Sequence, residues 1–171
     1  GYNKTKTLVI DPFVSNTSVL TGINAGKAKD IDFDYEGNIY VTGGGDGNTS
    51  HMLAKYNASG VLQWTFSGVL TLPAWNFGPY FGGWVVDKSS GSIYMGQGFD
   101  FNTGFIVVRL TTTGLYDNFT TVGNPNFREN WKMIWNCNAG SPQIIVAGGG
   151  TNSDINLGLF SPPSTFINGT N

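Results

Sequence analysis

The chain has 171 residues, of which 40% are hydrophobic, 14% aromatic and only 12% charged, and it contains 25 glycines. The apolar content is ordinary and the glycines follow no Gly-X-Y period, which excludes disordered and collagen-like chains. A net charge of −2 with nine Lys and Arg residues argues against nucleic acid as a partner. No apolar run approaches the ~18 to 20 residues of a transmembrane segment, so we expect a soluble chain from which any export signal has been removed.

The first predicted element is an extended segment, Lys6 to Phe13, for which the sequence indicates no pairing partner. From residue 27 onward the hydrophobic pattern has a period of two, which is typical of half-buried strands. Four such strands are separated by turns rich in Gly, Asn and Ser, and they centre on residues 30–34, 39–43, 52–56 and 61–66. Capped helical periodicity is absent from the sequence, which therefore predicts an all-β fold.

The four-strand pattern returns twice further along the chain. Landmarks of the first copy recur at a constant sequence offset of 54: Ile39 returns as Ile93, Lys55 as Arg109 and Gly60 as Gly114. A third copy begins at Trp131. Its residues 144–148 and 157–160 follow their counterparts in the second copy at an offset of 51. Its first turn, residues 136–143, is two residues longer than the corresponding turn. Four short antiparallel strands repeated about every 50 residues are typical of β-propeller blades.

The first copy carries the most specific motif. It reads IDFDYEGNIYVTG over residues 31–43 and LAKYNASGVLQW over residues 53–64. These residues resemble the bacterial β-propeller repeat known as the SBBP repeat, in which an aspartate-containing strand, a Gly-Asn turn, a Tyr-Val-Thr-Gly strand and a Ser-Gly turn precede a strand ending in Trp. The second copy lacks the final Trp, and the third departs at most positions. Residues 131–150 more weakly resemble segments of large secreted surface proteins of gliding Bacteroidota, in which such repeats precede adhesin-like regions.

The resemblance implies a propeller that is incomplete in this chain. Propellers close with typically four to eight blades, whereas the sequence predicts about three. We therefore expect a piece of a six- to eight-bladed ring, with the remaining blades elsewhere in the same protein or on another chain; an open arc or a sandwich is the alternative. The expected divisions are residues 1–26 as an N-terminal strand and connection, 27–70 as blade 1, 71–121 as a loop plus blade 2, and 122–171 as a loop plus blade 3.

The loops after the second strand of each copy are candidate ligand sites. They contain Asp46 and Asn48 in the first copy and Asp100 and Asn102 at the equivalent positions of the second. Carboxylate and amide oxygens at alternate positions suit Ca²⁺, but a calcium site needs six to eight oxygens and these loops lack the spacing of a calcium motif. Hydrogen bonds from these side chains to their own turns are the favoured interpretation, so no cofactor is expected.

The long connections between copies are rich in aromatic residues. Trp75, Phe77 and Tyr80 lie in the first connection, and Phe127 lies in the second. Flat rings flanked by Asn and Gly suit the apolar faces of sugars, and aromatic residues are also enriched at protein-binding hot spots. The alternative is that Trp75 and Phe77 fill the gap between neighbouring blades.

Catalytic signals are weak in this sequence. His51 is the only histidine and has no nucleophile motif nearby, and the single cysteine, Cys137, cannot form an intrachain disulfide. Asp30, Asp32 and Asp34 share one side of a strand, where like-charge repulsion requires solvation, a bound cation or partners. The expected partners are Lys27, Lys29 and Lys55.

We therefore expect a non-enzymatic extracellular or cell-surface module, structural or adhesive, that binds glycans or a surface protein. A fragment of a propeller-fold carbohydrate-active enzyme, with catalytic residues on missing blades, is the alternative, and a spacer is a third possibility. In a eukaryotic secretory host, glycans would attach at six Asn-X-Ser/Thr sites: Asn3, Asn16, Asn48, Asn57, Asn118 and Asn168.

Overall fold

The structure is a computed structural model of the chain. The structure describes residues 28–44, 50–71, 73–78, 82–98, 105–122, 129–136 and 143–149, and the backbone of residues 155–160. Every regular element in these ranges is a β-strand, which confirms the all-β prediction. Because the described residues contain no helix, none of them forms a helical membrane span. The predicted strand at Lys6 to Phe13 lies outside the described residues.

The strands form three antiparallel sheets in chain order, with a short hairpin between the first and the second. Sheet 1 contains β1 (Ala28–Phe33), β2 (Ile39–Gly43), β3 (Met52–Tyr56) and β4 (Leu62–Phe66). The hairpin contains β5 (Val69–Leu70) and β6 (Trp75–Asn76), which the sequence analysis did not predict. Sheet 2 contains β7 (Trp84–Val86), β8 (Ile93–Gly96), β9 (Phe105–Leu110) and β10 (Tyr116–Val122). Sheet 3 contains β11 (Glu129–Asn136), β12 (Gln143–Gly149) and β13 (Ile155–Phe160).

Sheets 1 and 2 repeat each other residue by residue. Ile39 pairs with Tyr56 in sheet 1, and Ile93 pairs with Leu110 in sheet 2, so both strands of the pair are displaced by the offset found in the sequence. A register shift also recurs at this spacing, because Gln63 in β4 and Asp117 in β10 are both skipped by the pairing. The sequence repeat is therefore a repeat of strand register.

The turn between the third and fourth strands shows why glycine recurs at fixed positions. In sheet 1, Gly60 N donates to Asn57 O at 2.8 Å, and in sheet 2 Gly114 N donates to Thr111 O at 3.0 Å. The φ angles of Gly60 and Gly114 are +78° and +79°, in the left-handed region that glycine enters without steric cost. Part of the high glycine content thus serves repeated turns.

Sheet 3 follows the repeat with two local adjustments. Trp135 pairs with Ile144, which leaves eight residues between them, compared with six between Val86 and Ile93 in sheet 2, and this confirms the longer first turn. Ile144 pairs with Phe160, whereas its counterpart Ile93 pairs with Leu110. In sequence, β13 therefore follows β9 at an offset of 50 and not at the predicted 51. Between equivalent pairs, nine residues separate Ala147 from Leu157, whereas ten separate Gly96 from Val107, so the chain is one residue shorter here.

The sheets stack face to face through two hydrophobic cores. We call the face that carries Val41 in sheet 1, Met95 in sheet 2 and Val146 in sheet 3 the front face, and the opposite face the back face. Core 1 joins the back of sheet 1 to the front of sheet 2 and includes the buried side chains of Tyr40, Leu53, Trp84, Val86, Ile93, Met95, Val108 and Leu110. Core 2 joins the back of sheet 2 to the front of sheet 3 and includes Val85, Tyr94, Phe105, Val107, Met133, Ile144 and Val146.

The three sheets approach one another most closely along their first strands. Strand β7 contacts both β1 and β11. Lys132 Nζ on β11 lies 2.7 Å from Asp30 Oδ2 on β1, so an ion pair connects sheets 1 and 3 although sheet 2 is stacked between them. The first strands therefore converge, and the cleft between them is where residues of all three sheets meet.

Candidate functional site

Several predicted site residues lie outside the described residues: Tyr80, Phe127, Asp46, Asn48, Asp100 and Asn102. The strands that flank them are described and share one location. Strands β2 and β8 end, and β3 and β9 begin, at the edge of the sheets where β1, β7 and β11 begin. We call this the entry edge. The connections that the sequence analysis singled out thus leave the sheets at the entry edge.

Trp75 and Phe77 are buried in core 1, each with only 3% of its surface exposed. The rings stack on each other with centroids 6.2 Å apart, and Trp75 Nε1 donates to Ile106 O at 3.2 Å. The segment folds inward because Phe77 N donates to the carbonyl of Gly68 at 2.7 Å and Phe77 O accepts from His51 N. These contacts agree with the alternative that the sequence left open for Trp75 and Phe77, packing between sheets 1 and 2.

His51 lies in the same packed region. Its side chain is almost fully buried, its ring meets that of Phe77 edge to face at 6.3 Å, and Nε2 is 3.4 Å from Lys29 Nζ. These contacts hold the ring between the hairpin and the start of β1.

The aspartates of β1 are paired, as predicted, but with lysines from other sheets. Asp32 forms an ion pair with Lys88 and accepts a hydrogen bond from Val86 N at 3.0 Å. Asp30 pairs with Lys132, which is distant in the sequence. Of the expected partners, Lys29 contacts His51, while Lys55 donates to Thr112 O and acts on Asp34 through its charge. Lys27 lies outside the described residues. The carboxylates therefore fasten sheet 1 to sheets 2 and 3.

Asp34 differs from its neighbours because it is buried inside the first turn. Its carboxylate accepts hydrogen bonds from the backbone and side chain of Asn38 and from Tyr40 Oη at 2.9 Å. Burial alone would raise the pKa of Asp34, but these hydrogen bonds and the nearby charge of Lys55 hold it below its ordinary value of 3.8. Burial and the hydrogen bond to Asp34 raise the pKa of Tyr40 far above its ordinary value. The pair locks the turn to β2.

A small cavity of about 210 Å³ opens at the entry edge where the first strands converge. Its lining includes both aromatic and polar side chains: Lys29, Asp30, Thr42, Phe77, Gly82, Trp84 and Trp131. Of these, Trp131 is 41% exposed. The Trp84 side chain is buried, and its indole nitrogen has no hydrogen-bond partner in the described part of the chain.

The ring of Trp131 is held in a fixed position. Its Nε1 donates to Glu129 Oε2 at 2.7 Å. A β-bulge at this residue lets Asn130 and Lys132 pair with adjacent residues of β12 and turns Trp131 out of the regular alternation. The indole lies against Gly149, where a Cβ would come within 2.6 Å of the ring. Trp84 and Trp131 end the two aromatic connections but were not chosen as binding residues from the sequence, and neither were Lys29 and Thr42. A bulge and an inter-sheet cavity leave no local sequence pattern.

Two other concave regions are present among the described residues. One, of about 260 Å³, adjoins the first along β1, β7 and β11 and contains the ion pairs of Asp30 and Asp32. The other is an open groove between sheets 1 and 2 at the opposite edge, with Glu36, Gln63 and Trp64 in its lining. Trp64 Nε1 there donates to Thr112 O at 3.0 Å, so its polar atom is already used by the fold.

Metal ligation and glycosylation concern few described residues. No group of three or more His, Cys, Asp or Glu side chains within the described ranges is arranged to hold a metal ion. Of the six Asn-X-Ser/Thr sites, Asn57 and Asn118 are described, and both are partly buried. Asn57 Oδ1 accepts hydrogen bonds from Ser59 N and Val61 N, which stabilises its turn.

Comparison of the chain with models of known protein families finds no match, and a search of curated proteins finds no significant relative.

Proposed function

We propose that the chain is a non-enzymatic, extracellular, propeller-type module of a larger cell-surface or secreted protein, in which it has a structural and adhesive role. Its sheets stack on further sheets of the same kind, and its entry edge binds a glycan or a surface protein. The SBBP-type motif and the repeated register of sheets 1 and 2 support this proposal. The two carboxylates that line one cavity together, Asp30 and Asp32, are each paired with a lysine, which favours a structural role over acid-base catalysis.

The observation that carries the proposal is the exposure of apolar side chains on the front face of sheet 1. Ile31 and Phe33 of β1 are 65% and 55% exposed. Their counterparts by register in sheet 2, Trp84 and Val86, are 3% and 0% exposed because the back of sheet 1 covers them. In sheet 3, Met133 at the position of Ile31 is covered by the back of sheet 2.

The same face of sheet 1 already has the composition of a core. The buried side chains of Val41, Ala54 and Tyr56 form a cluster there, with Ile39 and Leu62 packed against it, and all five residues belong to sheet 1. Covering a large apolar side chain contributes about 1.5 to 3 kcal/mol. The occupant that fits the exposed β1 positions of this face is the back of a further sheet of the same repeat, since that is what covers the equivalent positions of sheets 2 and 3.

An exposed apolar side chain is also present on the back of sheet 3, in the cavity that Ile31 and Phe33 line. Ile134 lies on the back of sheet 3 and is 49% exposed, with the partly buried Ile145 paired beside it. Its counterpart in sheet 2, Val85, is buried in core 2. The exposed apolar side chains on the front of β1 and on the back of β11 suit continued stacking in a longer array or ring.

Sedimentation velocity of the 171-residue chain tests this proposal. We expect concentration-dependent self-association, because the exposed apolar side chains of β1 and β11 can pair between copies when no further sheet is supplied. A double substitution, Ile31→Asp with Phe33→Asp, should restore a monomer. Tyr35→Asp is the matched control, since Tyr35 is 69% exposed but lies in the turn after β1. A compact monomer at all concentrations, unchanged by the double substitution, would contradict the proposal.

A further inference from the structure

We propose that the small cavity at the entry edge, about 210 Å³ in volume, is a carbohydrate site that holds one sugar ring against the indole of Trp131. This inference deepens the proposed glycan-binding function and depends on it, and it assigns the binding to residues that the sequence analysis did not select. It rests on the exposed ring, the unused buried donor and the mixed polar lining of the cavity.

The first element is a rigid aromatic platform. Trp131 is fixed by its hydrogen bond to Glu129 and lies against Gly149 on one side, yet 41% of its surface remains open. A ring that is already immobilised loses little conformational entropy when a ligand stacks on it. The apolar C–H face of a pyranose suits such a surface, since it can stack on the flat indole.

The second element is an unused hydrogen-bond donor. Trp84 is 3% exposed, and its Nε1 has no partner among the described residues, although buried indole N–H groups usually have one. Trp84 belongs to the lining of the cavity, and a ligand oxygen that reaches its Nε1 would satisfy this donor. Because a buried polar group left unpaired is costly, the site favours a ligand with an acceptor at this position.

The remaining polar groups identify the kind of ligand. Lys29 supplies an ammonium donor, Asp30 supplies carboxylate acceptors and Thr42 supplies a hydroxyl group. A sugar hydroxyl both donates and accepts, so neighbouring hydroxyls on one ring satisfy such a mixed set. A simple anion would be disfavoured by Asp30, and a simple cation would be disfavoured by Lys29.

The volume of the cavity limits the size of the ligand. At about 210 Å³ it is smaller than the ~300 to 1,000 Å³ typical of pockets for drug-sized molecules. It therefore accommodates a single monosaccharide unit, while the rest of a glycan chain extends past the entry edge into solvent. Affinity for one unit is expected to be weak and to increase when several modules bind one polymer.

Saturation-transfer NMR on the 171-residue chain tests the inference, with methyl glycosides of glucose, galactose, mannose and N-acetylglucosamine as probes. We expect at least one probe to bind, and calorimetric titration to give an affinity about 10-fold lower for Trp131→Ala. The affinity should fall about 3-fold or more in Trp84→Phe, which removes the indole N–H. It should fall by a similar factor in Lys29→Ala, a substitution of an exposed residue. Tyr35→Ala, which removes an exposed aromatic ring outside the cavity, is the control and should leave binding unchanged.

The outcomes separate this inference from the proposed function. Loss of binding in Trp131→Ala, with an unfolding midpoint equal to that of the parent chain, supports the site. Binding that survives Trp131→Ala and Lys29→Ala overturns the site but keeps glycan binding elsewhere on the module. Absence of binding to all four probes overturns the inference, while the stacking proposal is decided independently by sedimentation.

Discussion

Sheets 1 and 2 have nearly the same backbone plan but meet different surroundings. Their second and third strands pair in the same register, their fourth strands carry a register shift at the same place, and their third turns close with the same hydrogen bond. Yet the front of sheet 2 is buried by sheet 1, whereas Ile31 and Phe33 on the front of sheet 1 are exposed. The comparison shows that the sequence of a repeat sets its strands and turns, while the neighbouring sheet sets the burial of its side chains.

The largest difference should appear when equivalent front-face residues are truncated. Trp84→Ala should lower the free energy of unfolding by about 3 to 5 kcal/mol, because it removes a buried ring from core 1. Ile31→Ala, at the same register position of sheet 1, should change it by no more than about 0.5 kcal/mol. Urea denaturation followed by far-UV circular dichroism measures both values. Equal losses in the two variants would contradict the burial difference.

The turn glycines give a second, smaller contrast. Gly60→Ala should cost about 1 to 2 kcal/mol, because its positive φ strains an alanine although nothing lies within 4 Å of the new Cβ. Gly114→Ala has the same strain, and its Cβ would also lie 2.6 Å from the indole of Trp64, which should add about 1 to 3 kcal/mol. Urea denaturation of both variants checks the order. In the Trp64→Leu background the difference should shrink.

Acid sensitivity should distinguish the first turns of the two sheets. Since the folded-state pKa of Asp34 is below its ordinary value of 3.8, its contribution is present above about pH 4 and is lost as the pH falls through the folded-state value. Asp34→Asn should therefore reduce stability by about 1 to 2 kcal/mol at pH 7 and flatten the decline below pH 4. Asp87→Asn is the control, because Asp87 occupies the equivalent position in the first turn of sheet 2. Its carboxylate accepts hydrogen bonds only from within that turn, from Ser89 N and Ser90 Oγ, among the hydrogen bonds described. Stability curves between pH 2 and pH 7 that are parallel for Asp34→Asn and the parent chain would refute this role.

The smallest effect is expected for the ion pair between sheets 1 and 3. The Lys132 and Asp30 side chains are 54% and 35% exposed, so Lys132→Ala should cost less than about 1 kcal/mol. The loss should diminish in about 1 M NaCl, where the parent pair is screened. Lys132→Arg, which retains the charge, is the control. Thermal unfolding at low and high salt measures the difference, and a loss independent of salt would indicate packing rather than charge.

The sequence was sufficient to predict features that depend on neighbouring residues. Alternation and Gly-rich turns predicted the strands, and landmarks such as Lys55 and Arg109 predicted the repeat of register that the structure shows. The longer first turn of the third copy was also predicted correctly.

Features that depend on the stacking of sheets could not be predicted. Asp30 and Asp32 were expected to pair with Lys27, Lys29 or Lys55, but the converging first strands bring Lys132 and Lys88 closer. The residue type of Trp75 and Phe77 was compatible with an exposed ligand surface or a core, and the inward-folded hairpin decided for the core. Trp131 was missed as a site residue because a bulge, not a motif, directs its side chain outward.

The amide of Asn130 implies a constraint on evolution. This fully buried side chain occupies the space left by two glycines of sheet 2: its Nδ2 donates to Gly83 O at 3.4 Å, and a Cβ at Gly96 would collide with it. A larger residue at Gly96 is compatible with this fold only if position 130 becomes smaller in the same lineage. Related sequences should therefore vary at these two positions as a pair, so that their joint substitution records the contact between sheets 2 and 3.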